Sequence, residues 1–418
     1  MKPLKVGFLG GGSFASVLIP SFQAHPLVQE IYLAETLPTR RRLVAEHFGI
    51  RHTFASVEEL CASDCDAILV FTQRHLHVPH ALAALDAGKH VYCAVPAAAS
   101  IEELRQLCKK VEDTGLIYMM GETSYYYPAQ ILCRERFRNG EFGSFVYGEG
   151  EYLHDMAHGF YDAFKNSGGD QWRRVAGVPP MFYPTHSTSM ILGATGARMT
   201  QVSCLGFRDH DPDEVFGEGK NNWDNPFSNQ SALFRTSDGG MARINEFRRV
   251  GVGSGNSVRL SLYGTKAAFE QQADDHHVWT TLDHQRECLD ELLECADLRI
   301  PEGRQIDPAI ALEQQGYQAD FRSAYAKVHP VDRLPAALRA SDHNGHYGSH
   351  HFLVDDFLKA VVFGLLPPIH VWEAAKYNAP GLIAHESSLR EGALMEIPDF
   401  GQPDSSWEML RDHMPVVP

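Results

Sequence analysis

Short apolar runs alternate with helix-periodic stretches along the first third of the chain. The apolar runs predict strands at Leu4–Leu9, Glu30–Glu35, Asp66–Phe71 and His90–Cys93. The stretches between and after them predict helices, among them Thr39–Phe48, Ala81–Ala87 and Ile101–Thr114. Strands that alternate with helices in this way form a parallel, doubly wound sheet with right-handed crossovers. We expect this first domain to span residues 1–122.

From Gly143 onward the pattern changes to longer strands in which polar and apolar residues alternate. The predicted strands are Ser144–Tyr152, Arg198–Phe207, Gln230–Arg235, Gly240–Arg249 and Val258–Gly264. Such alternation is typical of a mostly antiparallel sheet with one open face, and Asp238-Gly239-Gly240 predicts a hairpin turn within it. We therefore expect residues 123–418 to form a second, α/β domain.

Helices and one irregular segment complete the second domain. The predicted helices are Ala129–Asn139, Ser187–Leu192, Phe352–Phe363 and Val371–Ser388, the last two as closing helices within residues 350–390. Residues 273–344 have no clear strand pattern, apart from a helix near His284–Ala296. We expect that segment to be an irregular insertion on the substrate side of the domain.

The net charge of the chain argues against two classes of binding partner. Lys and Arg number 37 against 53 Asp and Glu, a net charge of −16, which disfavours nucleic acid and anionic membranes as partners. No apolar run reaches the roughly 18 residues of a membrane span. The first strand begins at Leu4, which leaves no room for a signal peptide, and the eight cysteines contain no CxxC pair. A cytoplasmic location is therefore expected.

A glycine-rich loop follows the first strand and opens a helix. The loop Gly10-Gly11-Gly12-Ser13-Phe14-Ala15 fits the pattern G-x-G-x-x-A. Gly10 permits the tight turn, Gly12 lets the backbone approach a pyrophosphate, and Ala15 allows close helix–sheet packing. The candidate cofactor-binding residues of the loop are Gly10, Gly12, Ser13, Phe14 and Ala15.

An acidic residue at the end of the second strand favours NAD over NADP. Glu35 lies 20 residues beyond Ala15, where a carboxylate accepts hydrogen bonds from the adenosine ribose and repels a 2′-phosphate. The Arg40–Arg42 run keeps NADP open as an alternative, and Arg40 is a further cofactor candidate.

Several other segments carry a family resemblance. They are Asp66–Thr72, His77–His80, Ala87–Val91, Asn139–Gly143 and Tyr263–Lys266. Together with the glycine-rich loop they resemble the glucose–fructose oxidoreductase/inositol dehydrogenase/MocA (Gfo/Idh/MocA) family over essentially the whole chain. The resemblance implies an NAD-binding Rossmann domain and a substrate-binding α/β domain whose open sheet mediates a homodimer or homotetramer. It also implies a sugar or cyclitol substrate. Gln73, Arg74 and His75 follow the Asp66–Thr72 strand at its carboxyl end, where doubly wound sheets bind ligands, and one of them is expected to face the nicotinamide ribose. The further cofactor candidates are Thr72, His77 and Pro96.

The chain departs from the family pattern at the residue that ordinarily relays a proton. Dehydrogenases of the family carry Glu-Lys-Pro after the Gly-Lys-His-Val segment, and the lysine helps to move the hydroxyl proton. Here the triplet is Ala94-Val95-Pro96. The family's downstream Asp-x-Gly-x-His-x-x-Asp pattern is also absent, and Tyr183-Pro184-Thr185-His186 stands in its place.

That tetrad is similar to a particular branch of the family, the NAD-dependent glycoside hydrolases. Glu149–Asp155 and Asn225–Phe227 share the similarity. In that branch the sugar is oxidised at C3, a base removes the C2 proton, the aglycone is eliminated, water adds, and the hydride returns. The resemblance makes Tyr183 and His186 the catalytic acid/base pair. It makes Glu149, Tyr152, His154 and Asp155 the substrate contacts.

The spacing of the tetrad suits proton transfer. Tyr183 and His186 lie three residues apart at the start of a predicted helix, so both can project from its first turn. A helix N-terminus favours the neutral imidazole, the form that acts as a base beside a ketone. Glycoside cleavage is the leading interpretation. A net sugar or inositol dehydrogenase and a non-catalytic, NAD-holding regulatory subunit remain as alternatives.

Histidine is abundant, and three clusters raise the question of a metal. They are His154 with His158, His276 with His277, and His343 with His346, His350 and His351. No cysteine or carboxylate set completes a recognisable site, so no metal is predicted. The alternative for His346–His351 is that it lines the sugar pocket.

Overall fold

Six parallel strands form the N-terminal sheet of the computed structural model. They are β1 (Leu4–Leu9), β2 (Val28–Ala34), β3 (His52–Phe54), β4 (Ala67–Val70), β5 (His90–Cys93) and β6 (Tyr118–Met120). Their order across the sheet is β3-β2-β1-β4-β5-β6, and every neighbouring pair is parallel. The order reverses between β1 and β4, the point at which doubly wound sheets bind ligands.

Five helices connect these strands. They are α1 (Ser13–Ala24), α2 (Pro38–Phe48), α3 (Val57–Cys61), α4 (His77–Asp86) and α5 (Ile101–Thr114). Ser100 is the N-cap of α5, since its hydroxyl accepts from the backbone N–H of Glu103 at 3.1 Å. The predicted doubly wound sheet is therefore confirmed.

A second sheet of nine strands follows. They are β7 (Phe145–Leu153), β8 (Met199–Arg208), β9 (Phe227–Thr236), β10 (Met241–Phe247), β11 (Val258–Gly264), β12 (Ala267–Gln271), β13 (His277–Thr281), β14 (Arg286–Cys288) and β15 (Met395–Glu396). The order is β14-β13-β12-β11-β7-β10-β9-β8-β15, with β7 and β10 as the parallel pair and all other neighbours antiparallel. Gly239, at φ 90°, makes the predicted hairpin turn between β9 and β10.

The segment predicted to be irregular is partly regular. Residues 277–281 and 286–288 are strands, and the helix expected near residues 284–296 is reduced to α10 (Asp290–Leu293). The strands form because Trp279 packs edge-on against Phe142, with ring centroids 4.7 Å apart, and anchors this hairpin on the sheet. The structure describes residues 2–157, 160–168, 172–210, 213–251, 258–272, 276–295, 324–341 and 343–410, so part of the predicted insertion lies outside it.

The remaining helices cover the second sheet and return to the first domain. They are α6 (Pro128–Arg138), α7 (Phe160–Gly168), α8 (Trp172–Ala176), α9 (Thr185–Thr195), α11 (Ala336–Arg339), α12 (His350–Phe363) and α13 (Val371–Leu389). Helix α12 packs on the N-terminal domain, where Phe357 contacts Tyr92 edge-on at 5.5 Å. In the same interface Asp355 contacts His25 at 3.2 Å and accepts from Lys359 at 2.8 Å. The C-terminal part of the chain thus completes the surface of the N-terminal domain.

The described helices do not include a membrane span. None combines the length and the apolar character that crossing a membrane requires.

Candidate active site

The glycine-rich loop turns at the carboxyl edge of β1. Gly10 has φ 99°, and a side chain there would place its Cβ 2.7 Å from the carbonyl oxygen of Phe71. A Cβ on Gly12 would meet no atom within 4 Å, so the space in front of the start of α1 is open. Backbone N–H groups at the start of a helix bind phosphate. This cradle therefore fits the pyrophosphate of a dinucleotide.

Glu35 is held against the loop by the backbone. The N–H of Gly11 donates to its Oε2 and the N–H of Leu37 to its Oε1, both at 2.9 Å. Arg40 approaches the same carboxylate at 3.7 Å, and Arg41 donates to the carbonyl oxygen of Glu35 at 2.7 Å. The carboxylate is thus fixed beside the cradle, where an adenosine ribose would lie.

His77 links the segment that follows β4 to the segment that follows β5. The ring nitrogens of His77 lie 3.1 Å from the carbonyl oxygen of Thr72 and 2.7 Å from that of Pro96. Burial lowers the pKa of His77 to about 4, so the imidazole is neutral. Gln73 precedes the short 3₁₀ turn Arg74–Leu76, and the ring of His75 lies 6.3 Å from that of Trp223 in the second domain.

Tyr183 and His186 meet across the first turn of α9. Their ring centroids lie 5.1 Å apart at an interplanar angle of 80°. Tyr183 ends the 3₁₀ turn Pro180–Phe182, and His186 is the second residue of α9. The helix approaches β7 closely because Gly150 lacks a side chain. A Cβ at Gly150 would lie 2.5 Å from the carbonyl oxygen of Ser187.

A buried carboxylate that the sequence reasoning missed holds His186. Oε1 of Glu122 lies 2.5 Å from Nδ1 of His186 and also accepts from the N–H and hydroxyl of Ser124. Burial raises the pKa of Glu122, but the charge of His186 and its hydrogen bond outweigh burial, and the net pKa is lowered. Glu122 is therefore ionised. The signal was its place directly after β6, at the edge where parallel sheets bind ligands.

Arg74, which the sequence places beside the cofactor candidates Gln73 and His75, contacts Tyr183 in the structure. Its guanidinium lies over the Tyr183 ring, 4.3 Å from the centroid, a cation–π contact. Burial raises the pKa of Tyr183, although the charge of Arg74 opposes the change. The Tyr183 hydroxyl therefore keeps its proton near neutral pH.

Two of the four predicted substrate contacts lie beside this pair. The Tyr152 ring lies 5.2 Å from that of His186 and 6.1 Å from that of Tyr183. His154 follows, with its ring 5.7 Å from that of Tyr152. Arg248 stacks over Tyr152 at 4.5 Å and pairs at 2.7 Å with Glu246. Burial raises the pKa of Glu246 to about 7, against the opposing charge of Arg248.

The structure does not bring the other two predicted contacts to the pair. Glu149 lies on the open face of the second sheet, where Tyr147 and Arg243 donate to it at 2.9 and 3.1 Å. Side chains alternate along β7, so Glu149 and Tyr152 point to opposite faces. Asp155 instead accepts from the backbone N–H groups of Val250 and Gly251.

The described residues were also searched for a metal site. No group of three or more His, Cys, Asp or Glu side chains within them is arranged to hold an ion. His158, a member of one predicted pair, lies outside the described residues. His276 contacts Asp290 at 2.6 Å, and His346 contacts His350 at 2.8 Å.

Comparisons with known proteins agree with this geometry. Residues 4–122 match the Gfo/Idh/MocA family model, described as an oxidoreductase family with an NAD-binding Rossmann fold. A glycosyl hydrolase family 109 protein of Streptomyces filamentosus is 25% identical over 438 aligned residues, 98% of this chain and 80% of that protein. A levoglucosan dehydrogenase of Pseudarthrobacter phenanthrenivorans is 29% identical over 166 residues, 38% of this chain and 43% of that protein.

A solved structure shows the same fold over nearly the whole chain. The levoglucosan dehydrogenase complex with NADH superposes with a TM-score of 0.71 at 18% identity, covering 96% of this chain and 100% of the other. The glycine cradle and the fixed Glu35 fit the cofactor that the family model names. The resemblance of this chain to the Gfo/Idh/MocA family is therefore confirmed, with residues 4–122 matching that family's NAD-binding Rossmann fold.

Proposed function

We propose that this protein cleaves a glycoside with NAD as a catalytic cofactor, through transient oxidation of the sugar at C3. The observation that carries the proposal is the contact of Tyr183 with His186, whose Nδ1 is held by the ionised Glu122. An acid and a base beside each other suit removal of the C2 proton and departure of the aglycone. The similarity to glycosyl hydrolase family 109 proteins over 98% of the chain supports it.

The side chains divide the proton transfers between them. When bound, NAD accepts the C3 hydride and later returns it, and the ketone made at C3 acidifies the C2 proton. Glu122 keeps the proton of His186 on Nδ1, so Nε2 takes the C2 proton. Tyr183, whose pKa burial raises, gives its hydroxyl proton to the departing glycosidic oxygen. Water then adds at C1 and gives one proton to the Tyr183 phenolate, and His186 returns its proton to C2.

The remaining residues bind and orient. Gly10, Gly12, Ser13, Phe14 and Ala15 hold the dinucleotide, Glu35 binds the adenosine ribose, and the segment Thr72–His77 with Pro96 borders the nicotinamide end. Tyr152 and His154 line the sugar side of the cleft. Glu149 and Asp155 already have partners outside the cleft, so we leave them out of the proposed substrate contacts.

Solvent isotope exchange tests the proposal. The purified protein is incubated with a panel of nitrophenyl glycosides in deuterated water, with NAD but no other redox partner. We expect aglycone release, deuterium at C2 of the product, and no accumulation of NADH with turnover. Aglycone release without deuterium at C2 would contradict C2 proton abstraction and would overturn the proposed route.

The similarity to levoglucosan dehydrogenase favours net oxidation as the second candidate function. In that case NADH accumulates in proportion to the sugar consumed, and no aglycone leaves. The same incubation with free sugars and levoglucosan as substrates distinguishes the two functions, because only the dehydrogenase reduces added NAD stoichiometrically.

We also propose that the open face of the second sheet joins copies of this chain into a homodimer or homotetramer. Apolar side chains stand exposed there on adjacent strands, among them Leu205, Phe207 and Leu233 at 65%, 52% and 60% exposure. An exposed apolar patch of this kind is typical of an interface. Light scattering should give an oligomer that Leu233→Glu dissociates. An unchanged mass for the variant would remove this face from the interface.

A further inference from the structure

Arg74 brings a permanent positive charge into the cleft beside Tyr183. It begins the 3₁₀ turn Arg74–Leu76 that follows β4. Its guanidinium lies 4.3 Å from the ring centroid of Tyr183 and 5.1 Å from that of Phe164 in α7. Both rings belong to the second domain. The guanidinium therefore lies between the two domains, next to the side chain that we propose as the acid.

The other charged groups around Tyr183 already have partners of opposite charge. Besides Arg74, the groups whose charge acts on Tyr183 include Glu122 and Arg248. Glu122 contacts His186 at 2.5 Å, and Arg248 pairs with Glu246 at 2.7 Å. Within the described ranges, no carboxylate lies within 4 Å of the Arg74 guanidinium. A chain with a net charge of −16 thus leaves an excess positive charge in its cleft.

The aromatic contacts of Arg74 do not replace a counter-ion. A ring face attracts a cation, but it offers no lone pair to the guanidinium N–H groups. Arg74 is half-buried and has five such donors in a planar fork, of which the Tyr183 hydroxyl takes one. Stacking on the rings sets the plane of this fork. The donors that remain suit the two oxygens of a carboxylate.

The contact with Tyr183 locates this carboxylate on the substrate. In the proposed function Tyr183 protonates the glycosidic oxygen, so a group that pairs with Arg74 lies close to that oxygen. C2 and C3 of the sugar face His186 and the cofactor. A carboxylate at C5 is separated from C1 by the ring oxygen alone, and a carboxylate on the aglycone lies on the other side of the same glycosidic bond.

We propose that Arg74 selects an anionic glycoside by pairing with a carboxylate next to the glycosidic bond. The carboxylate belongs either to C5 of a uronic acid or to the aglycone. Its pairing with Arg74 turns the glycosidic oxygen toward the Tyr183 hydroxyl. This inference names the substrate class of the proposed function and rests on it. Arg74 determines specificity and takes no part in proton transfer.

Matched charged and neutral substrates test this inference. The full-length protein with NAD is given nitrophenyl glucuronides and glucosides, and galacturonides and galactosides, in both anomers. A further pair consists of neutral glycosides of nitrophenol with and without a ring carboxylate. Aglycone release gives kcat/KM. Binding of free glucuronate, galacturonate and the matching neutral sugars is measured separately, as the rise in melting temperature that a ligand of the folded state causes.

Three variants accompany the wild-type protein. Arg74→Gln removes the charge at similar length, and Arg74→Lys keeps the charge without the planar fork. The matched control is Arg136→Gln. Arg136 also stacks on an aromatic ring, 4.2 Å from the centroid of Trp279, but it pairs with Glu287 outside the cleft. Titration with NAD and the melting temperature without sugar report on the cofactor site and the fold.

We expect the wild-type protein to prefer the charged member of one kind of pair by roughly 10–100-fold in kcat/KM, the scale of one charge-assisted hydrogen bond. The pair that shows the preference identifies the side of the glycosidic bond that carries the carboxylate. Arg74→Gln should abolish the preference, Arg74→Lys should keep part of it, and Arg136→Gln should keep all of it.

Two results would overturn the inference. One is a wild-type protein without a preference for charged substrates. The other is an Arg74→Gln variant that loses kcat/KM by the same factor for charged and neutral substrates, or loses NAD affinity with the preference intact, because Arg74 would then serve Tyr183 or the cofactor.

The binding measurement distinguishes this failure from failure of the proposed function. If the wild-type protein cleaves no glycoside but is stabilised by uronates, and Arg74→Gln is not, the proposed function is overturned and the carboxylate site is supported. Neither cleavage nor binding would overturn both.

Discussion

At the scale of single residues, Tyr183 and His186 are held by different neighbours. Burial keeps the proton on the Tyr183 hydroxyl, whereas the carboxylate of Glu122 fixes one proton on Nδ1 of His186. Two neighbouring groups with such different surroundings can act as acid and base in one reaction. Their contributions to the rate should consequently be coupled.

Replacement of either residue should remove turnover and leave the fold intact. We expect His186→Asn and Tyr183→Phe each to lower kcat by roughly 10²–10⁴-fold. The double variant should be barely worse than either single one, since groups that act as a unit are not additive. Initial rates and melting temperatures of the same preparations check this. His329→Asn is the matched control, because its imidazole is bonded to the Tyr126 carbonyl outside the cleft.

The outcome that contradicts this role is equally specific. A buried histidine that only satisfies its partners costs about 1 kcal/mol of stability when replaced, with turnover per folded molecule unchanged. If His186→Asn behaves like His329→Asn in both measurements, His186 has no part in the chemistry.

Glu35 should set the preference for NAD. Its carboxylate is fixed by two backbone N–H groups and repels a 2′-phosphate, whereas Arg40 lies 3.7 Å away. Glu35→Ser should weaken NAD binding by about tenfold, the equivalent of a charge-assisted hydrogen bond, and strengthen NADP binding. Fluorescence titration with both cofactors measures this. In the double variant with Arg40→Ala, the increase in NADP affinity should disappear. An increase that persists would contradict the role of Arg40.

The sequence predicted the part of the site that is local in the chain. Gly10–Ala15 with Glu35 could be recognised from their spacing, and Tyr183 with His186 from the resemblance to the glycoside hydrolase branch. Glu122 could not, since it reaches the cleft only through the packing of separate elements. Glu149 shows that residues close in sequence need not reach the same site. It is near Tyr152 in sequence, but strand alternation sends it to the other face of the sheet.

At the scale of elements, the turn that carries Tyr183 depends on close packing by α13. A Cβ on Gly381 would lie 2.0 Å from the carbonyl oxygen of Met181 and 2.4 Å from Cγ of Pro184. The helix therefore fits the turn only where it has no side chain.

Gly381→Ala should accordingly destabilise the protein and slow it. Helix propensity alone predicts that the free energy of unfolding rises by about 1 kcal/mol. Overpacking should outweigh this gain, so that the free energy of unfolding falls by about 1–3 kcal/mol in total. Displacement of residues 181–184 should also lower kcat. Urea unfolding and initial rates test both effects. Glu386→Ala, on the exposed side of α13, is the control, and a stabilised, fully active Gly381→Ala would contradict the packing argument.

Element prediction succeeded where the periodic pattern was long. The ranges Leu4–Leu9, Ile101–Thr114 and Val258–Gly264 were predicted with the bounds that the structure has. Among the strands of three to five residues, β5 was predicted with its bounds, but β3, β6 and β13 were missed. Too few alternations fit into such a strand, and its formation depends on neighbours that are distant in sequence.

At the scale of the whole molecule, many histidines are buried in neutral form. Burial lowers the pKa of His77, His329, His351 and His385 to about 4, and that of His370 to about 3, from an ordinary value of 6.5. Each binds fewer protons in the folded than in the unfolded state. Their stabilising effect is complete above pH 6.5 and is lost as the pH falls toward 4.

We therefore expect the free energy of unfolding to fall steeply on mild acidification. Each such histidine contributes a slope of up to about 1.4 kcal/mol per pH unit in this window. Glu246 opposes the effect, because burial raises its pKa to about 7, but it is one group against five. Urea unfolding at several pH values measures the slope, and His385→Asn should reduce it. A flat profile between pH 6.5 and 5 would contradict buried neutral histidines.

The return of α12 to the N-terminal domain bears on how the protein is made. During translation the Rossmann strands leave the ribosome first, but Tyr92 and His25 complete their packing against Phe357 and Asp355, which lie far along the chain. At the usual rate of synthesis the intervening residues take roughly 10–50 s to appear. For that time the nascent domain presents an apolar surface to the cell, a natural binding site for a chaperone. The N-terminal domain therefore cannot complete its packing until the ribosome has translated α12.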